Sequence, residues 1–196
     1  MTEVRLDAVR IPLDWEELFG RPGPVHVDLG SGKGRFLLQL AAARPELNLL
    51  GVERASKYYH MVCDRAARRG VETVRMLHTT GEDFLFRLVA ESSVDAFYVL
   101  FPDPWPKKRH HKRRFVTHSN VERIAWALRP GGRLLVKTDH PDYAEVIAEV
   151  LAGVPGLRAL DSALFEELPI TGFEHKYRIE GRPIWSHVLE RPATDS

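Results

Sequence analysis

Two kinds of apolar pattern alternate along the chain. Short, mostly apolar runs give way to longer stretches in which apolar positions recur every three or four residues. The first kind predicts buried strands and the second amphipathic helices. Strands are read at Val25–Leu29, Leu47–Val52, Val74–Leu77, Ala96–Leu100 and Arg133–Lys137, with two more around Leu157–Leu160 and Ile184–Leu189. Between them, Phe36, Leu37, Leu40 and Ala41 share one face of a helix, and Tyr58, Met61, Val62, Arg65 and Ala66 mark a second. Phe84, Leu85, Leu88 and Val89 mark a third. Val121, Ile124, Ala125 and Leu128 form the inner stripe of a fourth, stopped by Pro130-Gly131-Gly132. Asp142 to Leu151 predicts a fifth, and Val154-Pro155-Gly156 the turn after it. Strands alternating with helices predict an α/β fold on a mostly parallel, seven-stranded sheet flanked by helices. The weakly patterned residues 1–24 are read as a short N-terminal arm, 25–191 as one domain, and 192–196 as a C-terminal tail.

Composition agrees with a single folded unit. The chain has 196 residues, 44% hydrophobic and 28% charged, which fits one globular domain and excludes disorder. Its most apolar run, Ala96 to Phe101, is far shorter than the ~20 residues of a bilayer span. Charges at Glu3, Arg5, Asp7 and Arg10 break up the start, so a cytoplasmic protein is expected. The single cysteine, Cys63, excludes an internal disulfide and a Cys-only zinc site. His60 and Cys63 lack further ligands at useful spacing, as do His110 and His111, so no metal is expected. Charge is more revealing. The total is +1, yet Lys107, Lys108, Arg109, Lys112, Arg113 and Arg114 bring six positive charges within eight positions. The other 22 Lys and Arg against 27 Asp and Glu leave −5, an acidic body with one concentrated basic patch.

Candidate chemistry begins at His26-Val27-Asp28-Leu29-Gly30-Ser31-Gly32-Lys33-Gly34. An acid closes the first strong strand, and Gly30, Gly32 and Gly34 follow at alternate positions. Glycine permits a sharp turn and leaves no Cβ where a ligand must approach. The dinucleotide fingerprint G-x-G-x-x-G fails here, because Arg35 stands where its third glycine belongs. The spacing suits instead a ligand without phosphates that carries a cationic amine or sulfonium, opposed by Asp28. The next strand ends in Glu53, 25 residues after Asp28, near the ~20-residue offset at which a carboxylate reaches ribose hydroxyls. Either element alone fits an ordinary capped turn; in register on consecutive strands they favour a nucleoside site. These residues resemble the class I S-adenosylmethionine-dependent methyltransferases. The resemblance implies a Rossmann-like domain in which Asp28 and the Gly30–Gly34 turn hold the methionine part and Glu53 the ribose. It also implies a polar residue near the adenine after the third strand, where this chain has His78-Thr79-Thr80-Gly81-Glu82-Asp83.

The fourth strand is followed by Phe101-Pro102-Asp103-Pro104-Trp105-Pro106-Lys107-Lys108. Ligands bind beyond the carboxyl ends of strands in doubly wound sheets, which puts this loop over the mouth. Three prolines in five positions stiffen it, and a stiff loop suits a carboxylate that must hold a substrate in place. Asp103 has little structural need there and is a candidate catalytic group; Trp105 is read as packing. The adjoining basic stretch favours phosphate binding over mere solvation.

With these residues in hand, the chain is similar to the bacterial tRNA (guanine-N7-)-methyltransferases from about Val25 to Glu190. The most specific match is Phe101 through Arg114, supported by Lys137-Thr138-Asp139 and Thr171-Gly172-Phe173-Glu174. This resemblance implies that Asp28, Glu53 and Asp103 meet the cofactor, S-adenosylmethionine, with Asp103 also catalytic. Lys107, Asp139 and Thr171, Gly172, Phe173 and Glu174 are implied to contact tRNA or its target guanine. Lys108, Arg109, Lys112, Arg113 and Arg114 are expected on the RNA backbone. Thr80 stands where the family often has Asp, so it offers the adenine a hydroxyl and no charge. The implied product is 7-methylguanosine at position 46 of the variable loop. The competing readings are methylation of an exocyclic base amine, a small-molecule methyltransferase, and a non-catalytic RNA-binding module. The last two leave the basic stretch or the three acids without a role.

Overall fold

The computed structural model describes residues 2–165 and 168–193, so the 192–196 tail lies mostly outside it. Eight strands form one sheet: β1 (Glu3–Val4), β2 (Val25–Leu29), β3 (Asn48–Val52), β4 (Val74–Leu77), β5 (Val94–Leu100), β6 (Leu128–Thr138), β7 (Arg158–Leu160) and β8 (Trp185–Glu190). Their order is β1-β4-β3-β2-β5-β6-β8-β7. The six strands from β1 to β6 run parallel, while β8 lies antiparallel between β6 and β7. The chain therefore reverses direction across the sheet between β3 and β5, on either side of β2, where such sheets bind ligands.

The predicted seven strands are all present, and the count rises to eight because β1 adds an edge. Two residues are too few to produce a periodicity, and the strand forms by pairing Glu3 and Val4 with Met76 and Leu77. The 1–24 segment is thus built into the domain, with Val4, Leu13, Trp15 and Phe19 buried in its core. A second difference lies at Pro130-Gly131-Gly132. Helix α5 (His118–Ala127) ends before it, and the three residues run within β6.

Helices cover both faces. α2 (Arg35–Ala43) and α3 (Ser56–Arg68) pack with Leu49, Met76, Ala96 and Tyr98 on one side. α1 (Trp15–Phe19), α5 and α6 (Pro141–Gly153) cover the other, joined by the turn of α4 (Gly81–Asp83) and the π-helical Phe84–Leu88. α7 (Gly172–Ile179) precedes β8. The expected inner faces are met on α2 and α5, though Leu128, read as the end of the α5 stripe, is buried as the first residue of β6. On α3 the buried stripe is Tyr59, Val62, Cys63 and Ala66, one residue on from the predicted Tyr58 and Met61. Among the described residues, no helix is long and apolar enough to cross a membrane.

Candidate active site

The glycine turn is shaped by three left-handed residues, Gly30, Gly32 and Gly34, with φ of 81°, 52° and 70°. The N–H groups of Gly30 and Ser31 donate to the Val52 carbonyl at 2.8 and 3.2 Å, tying the turn to the end of β3. Gly34 permits a close approach as well, since a Cβ there would stand 2.5 Å from a Val62 methyl carbon on α3. Glu53 completes the cradle. Its Oε2 accepts from the Gly32 N–H at 2.8 Å and its Oε1 from the Ala55 N–H at 2.7 Å. Each oxygen keeps a further lone pair for a ligand hydroxyl.

Asp28 lies beneath this turn, only 3% exposed. Burial, with a lesser push from Glu53, raises its pKa to about 7. A carboxylate in that position is short of a cation. A bound amine or sulfonium supplies one, which is the fit expected of S-adenosylmethionine. Thr80, by contrast, caps α4: its hydroxyl accepts from the Asp83 N–H at 3.1 Å. It is exposed at the end of β4 and retains its own proton as a donor.

The loop after β5 folds back over β3. Arg54 Nη2 donates to Asp103 Oδ2 at 3.3 Å, bringing Asp103 beside the residue that follows Glu53. Its side chain is 68% exposed, open to a substrate. Phe101 and Trp105 take left-handed φ of 56° and 45°, conformations that cost of order 1–3 kcal/mol each and cluster at functional loops. Trp105 packs as expected, against His110 and under the Arg113 guanidinium at 4.9 Å.

α7 closes the third side of the mouth. Thr171 caps it, accepting from the Glu174 N–H at 2.9 Å, the local signature of the T-x-x-E sequence. The Glu174 carboxylate does not return to the cap. It is 1% exposed and receives Lys137 Nζ at 3.0 and 3.1 Å and Arg178 Nη2 at 2.6 Å. Asp139 accepts from Arg182 Nη1 at 3.4 Å. Three carboxylates near one mouth thus each have a cation. Phe173, 57% exposed, stacks on Tyr177 at 6.1 Å, and both rings adjoin Phe101. Of the four α7 residues expected to meet RNA, Gly172 and Phe173 face solvent, while Thr171 and Glu174 are buried in the turn.

The basic stretch is a 3₁₀ helix over Lys108–Arg113. Lys107, Lys108, Arg109, Lys112 and Arg113 are exposed, as phosphate binding requires. Arg114 is a correction. It is 5% exposed, its Nε donates to the Pro104 carbonyl at 2.8 Å, and its guanidinium lies 4.7 Å over Tyr143 of α6. Arg114 anchors the loop to α6 and is turned away from solvent.

Comparison with known proteins agrees with this geometry. A protein-family profile described as a putative methyltransferase matches residues 22–187. The tRNA (guanine-N(7)-)-methyltransferase of Pseudomonas putida (strain W619) is 37% identical over 185 residues, spanning 92% of this chain and 77% of that one. That of Nocardia farcinica (strain IFM 10152) is 38% identical over 190 residues, spanning 90% and 71%. The chain belongs to the tRNA (guanine-N(7)-)-methyltransferase family. Among solved structures, the 16S rRNA methyltransferase KamB superposes with a TM-score of 0.61 at 19% identity, covering 90% of this chain and 92% of that one. A geranyl diphosphate methyltransferase, solved with GPP and sinefungin, gives 0.59 at 15% identity over 90% and 75%. These likenesses establish the shared methyltransferase fold.

Several groups of this methyltransferase's mouth carry no individual sequence signal. Arg54, Tyr177 and Arg182 act through partners far away in the chain, and only the fold introduces them. Arg178 could have been found, since it stands one helical turn from Glu174.

Proposed function

We propose that this tRNA (guanine-N(7)-)-methyltransferase transfers a methyl group from S-adenosylmethionine to N7 of guanosine 46 in the tRNA variable loop, in the cytoplasm. The observation that carries the reading is the convergence of Asp28, Glu53 and Asp103 around one glycine turn. When bound, S-adenosylmethionine supplies an electrophilic methyl group on a sulfonium. Asp28 opposes its positive amine, and Glu53 takes the ribose hydroxyls with its remaining lone pairs. Asp103 exchanges Arg54 for the N1–H and N2–H edge of guanine, turning N7 toward the methyl group.

Guanine N7 attacks with an in-plane lone pair and has no proton to lose, so no residue serves as a base. The N7–carbon bond forms as the carbon–sulfur bond breaks, and positive charge moves from sulfur to the purine. Asp103 and Asp139 face that developing charge, oriented beforehand by their pairings with Arg54 and Arg182. Phe101, Phe173 and Tyr177 offer a stacking wall for a base that has left its own stack. Buried Glu174 fixes Lys137 and the start of α7 and so positions this wall.

Transcripts carrying guanosine or 7-deazaguanosine at position 46 test the reading through transfer of labelled methyl groups. Uptake is expected with guanosine alone. Equal uptake by the transcript that lacks N7 at that position contradicts it.

A further inference from the structure

Outside the mouth, the face made by α2 and α3 carries an unassigned concentration of positive charge. α2 contains no acid and α3 only Asp64, against Arg35, Lys57, Arg65 and Arg68 on the same two helices. Lys33 in the glycine turn and Arg69 at the end of α3 extend the group. Among the described residues, none of Lys33, Arg35, Arg65, Arg68 and Arg69 forms an ion pair. Arg35, Arg65 and Arg69 instead line one open cleft of about 340 Å³ with Leu38 and Gln39. Like charges gathered without counter-charge repel one another, and an external anion relieves that repulsion.

Two side chains of the cleft touch the elements that frame the mouth. Arg65 Nη1 donates to the Lys33 carbonyl at 2.7 Å, which ties the arginine cluster to the glycine turn. Arg35 reaches the other way, its Cδ 3.9 Å from where a Cβ on Gly172 would stand at the start of α7. The Lys107–Arg113 stretch belongs to the opposite face, because Arg114 packs on α6 and Phe115 against Gly81 at the start of α4. Cations therefore lie on both faces of the sheet, with the candidate catalytic groups between them. Two cationic surfaces on opposite faces suit an extended polyanion such as a folded RNA.

We infer that the Arg35–Arg65–Arg69 cleft is a second phosphate-backbone site for the tRNA, gripping the strand on the side of the target base opposite Lys107–Arg113. The inference rests on the tRNA reading given above and adds to it a two-sided grip. It assigns to RNA a surface that no motif marks, since its residues lie up to 34 positions apart.

The test is binding of unmodified tRNA at several salt concentrations by wild type and by Arg35→Gln/Arg69→Gln. Each lost phosphate contact flattens the slope of log affinity against log salt by roughly 0.7–0.9, so the double variant is expected to lose about 1.4–1.8. S-adenosylmethionine affinity and thermal midpoint are expected to match wild type. Combining the pair with Lys108→Gln/Arg109→Gln should lower the slope additively. An unchanged slope in Arg35→Gln/Arg69→Gln overturns the inference, and an acidic protein partner then becomes the reading of the cleft. In the unaltered protein, tRNA should also shield Arg35 and Arg69 from phenylglyoxal, read by mass spectrometry; equal labelling with and without tRNA overturns the inference independently of how the variants fold. Wild type that methylates tRNA normally while the slope stays fixed refutes the cleft alone. A shielded cleft on a protein that forms no 7-methylguanosine refutes the reaction alone.

Discussion

Asp28 links the site's chemistry to its stability. Its ordinary pKa near 3.8 rises to about 7 in the folded chain because the carboxyl group is buried beside Glu53. The neutral form is therefore the one that the ligand-free fold favours. Its contribution is fully present below the unfolded pKa and is lost as pH rises through about 7. The rise from 3.8 to about 7 bounds the loss at about 4 kcal/mol. Asp28→Asn should accordingly raise the thermal midpoint of the ligand-free protein at pH 8 more than at pH 5. A cationic ligand reverses the preference, so wild-type affinity for S-adenosylmethionine should tighten between pH 6 and 8, by at most about tenfold per unit below the pKa. Calorimetry across that range checks this, and a flat wild-type profile contradicts an Asp28 contact. Asp103 differs, being exposed and, among the described residues, paired only with exposed Arg54. Asp103→Asn should leave the thermal midpoint nearly unchanged and should lower single-turnover methyl transfer by at least tenfold, far more than it lowers cofactor affinity. Rates near wild type would remove Asp103 from the chemistry.

The elements that matter most are the two that close the mouth, the proline loop and α7. The glycine turn, the acids at the ends of β2 and β3, and the loop after β5 were legible in the sequence because each is a local pattern of residue types at short spacing. β1 escaped because two residues have no period, and the α3 stripe shifted because Tyr58 and Tyr59, both aromatic, offer the same signal to either face. The inward turn of Glu174 was illegible for a different reason. Its partner Lys137 is 37 residues away on β6, and only the packing of α7 over that strand joins them. Removing one member of a buried pair strands the other. Glu174→Ala should therefore destabilise the protein by about 3–5 kcal/mol, measured by urea unfolding. Adding Lys137→Met should recover most of that stability without restoring methyl transfer, because the wall of Phe173 and Tyr177 still loses its support. Recovery of full activity in the double variant would show that the pair serves the fold alone.

For the whole molecule, the net charge of +1 conceals a distribution that sequence order only half reveals. Lys107–Arg113 is visible as a run, though the run overstates the patch by Arg114, which the fold turns inward to anchor the loop. The remaining charges are not a uniformly acidic body, since α2 and α3 gather arginines from separate segments. Substituting Lys108→Glu and Arg109→Glu should raise the Kd for tRNA and flatten its salt dependence, leaving S-adenosylmethionine affinity in place. Anisotropy at several salt concentrations measures both, and an identical slope would turn that stretch away from the RNA. The fold, the paired acids and the charged flanks converge on one product. Unmodified tRNA incubated with the protein and S-adenosylmethionine, then digested to nucleosides and resolved by mass spectrometry against synthetic standards, identifies it directly. The account predicts 7-methylguanosine as the new nucleoside; methylation on an exocyclic amine, or no methylated nucleoside at all, would contradict it.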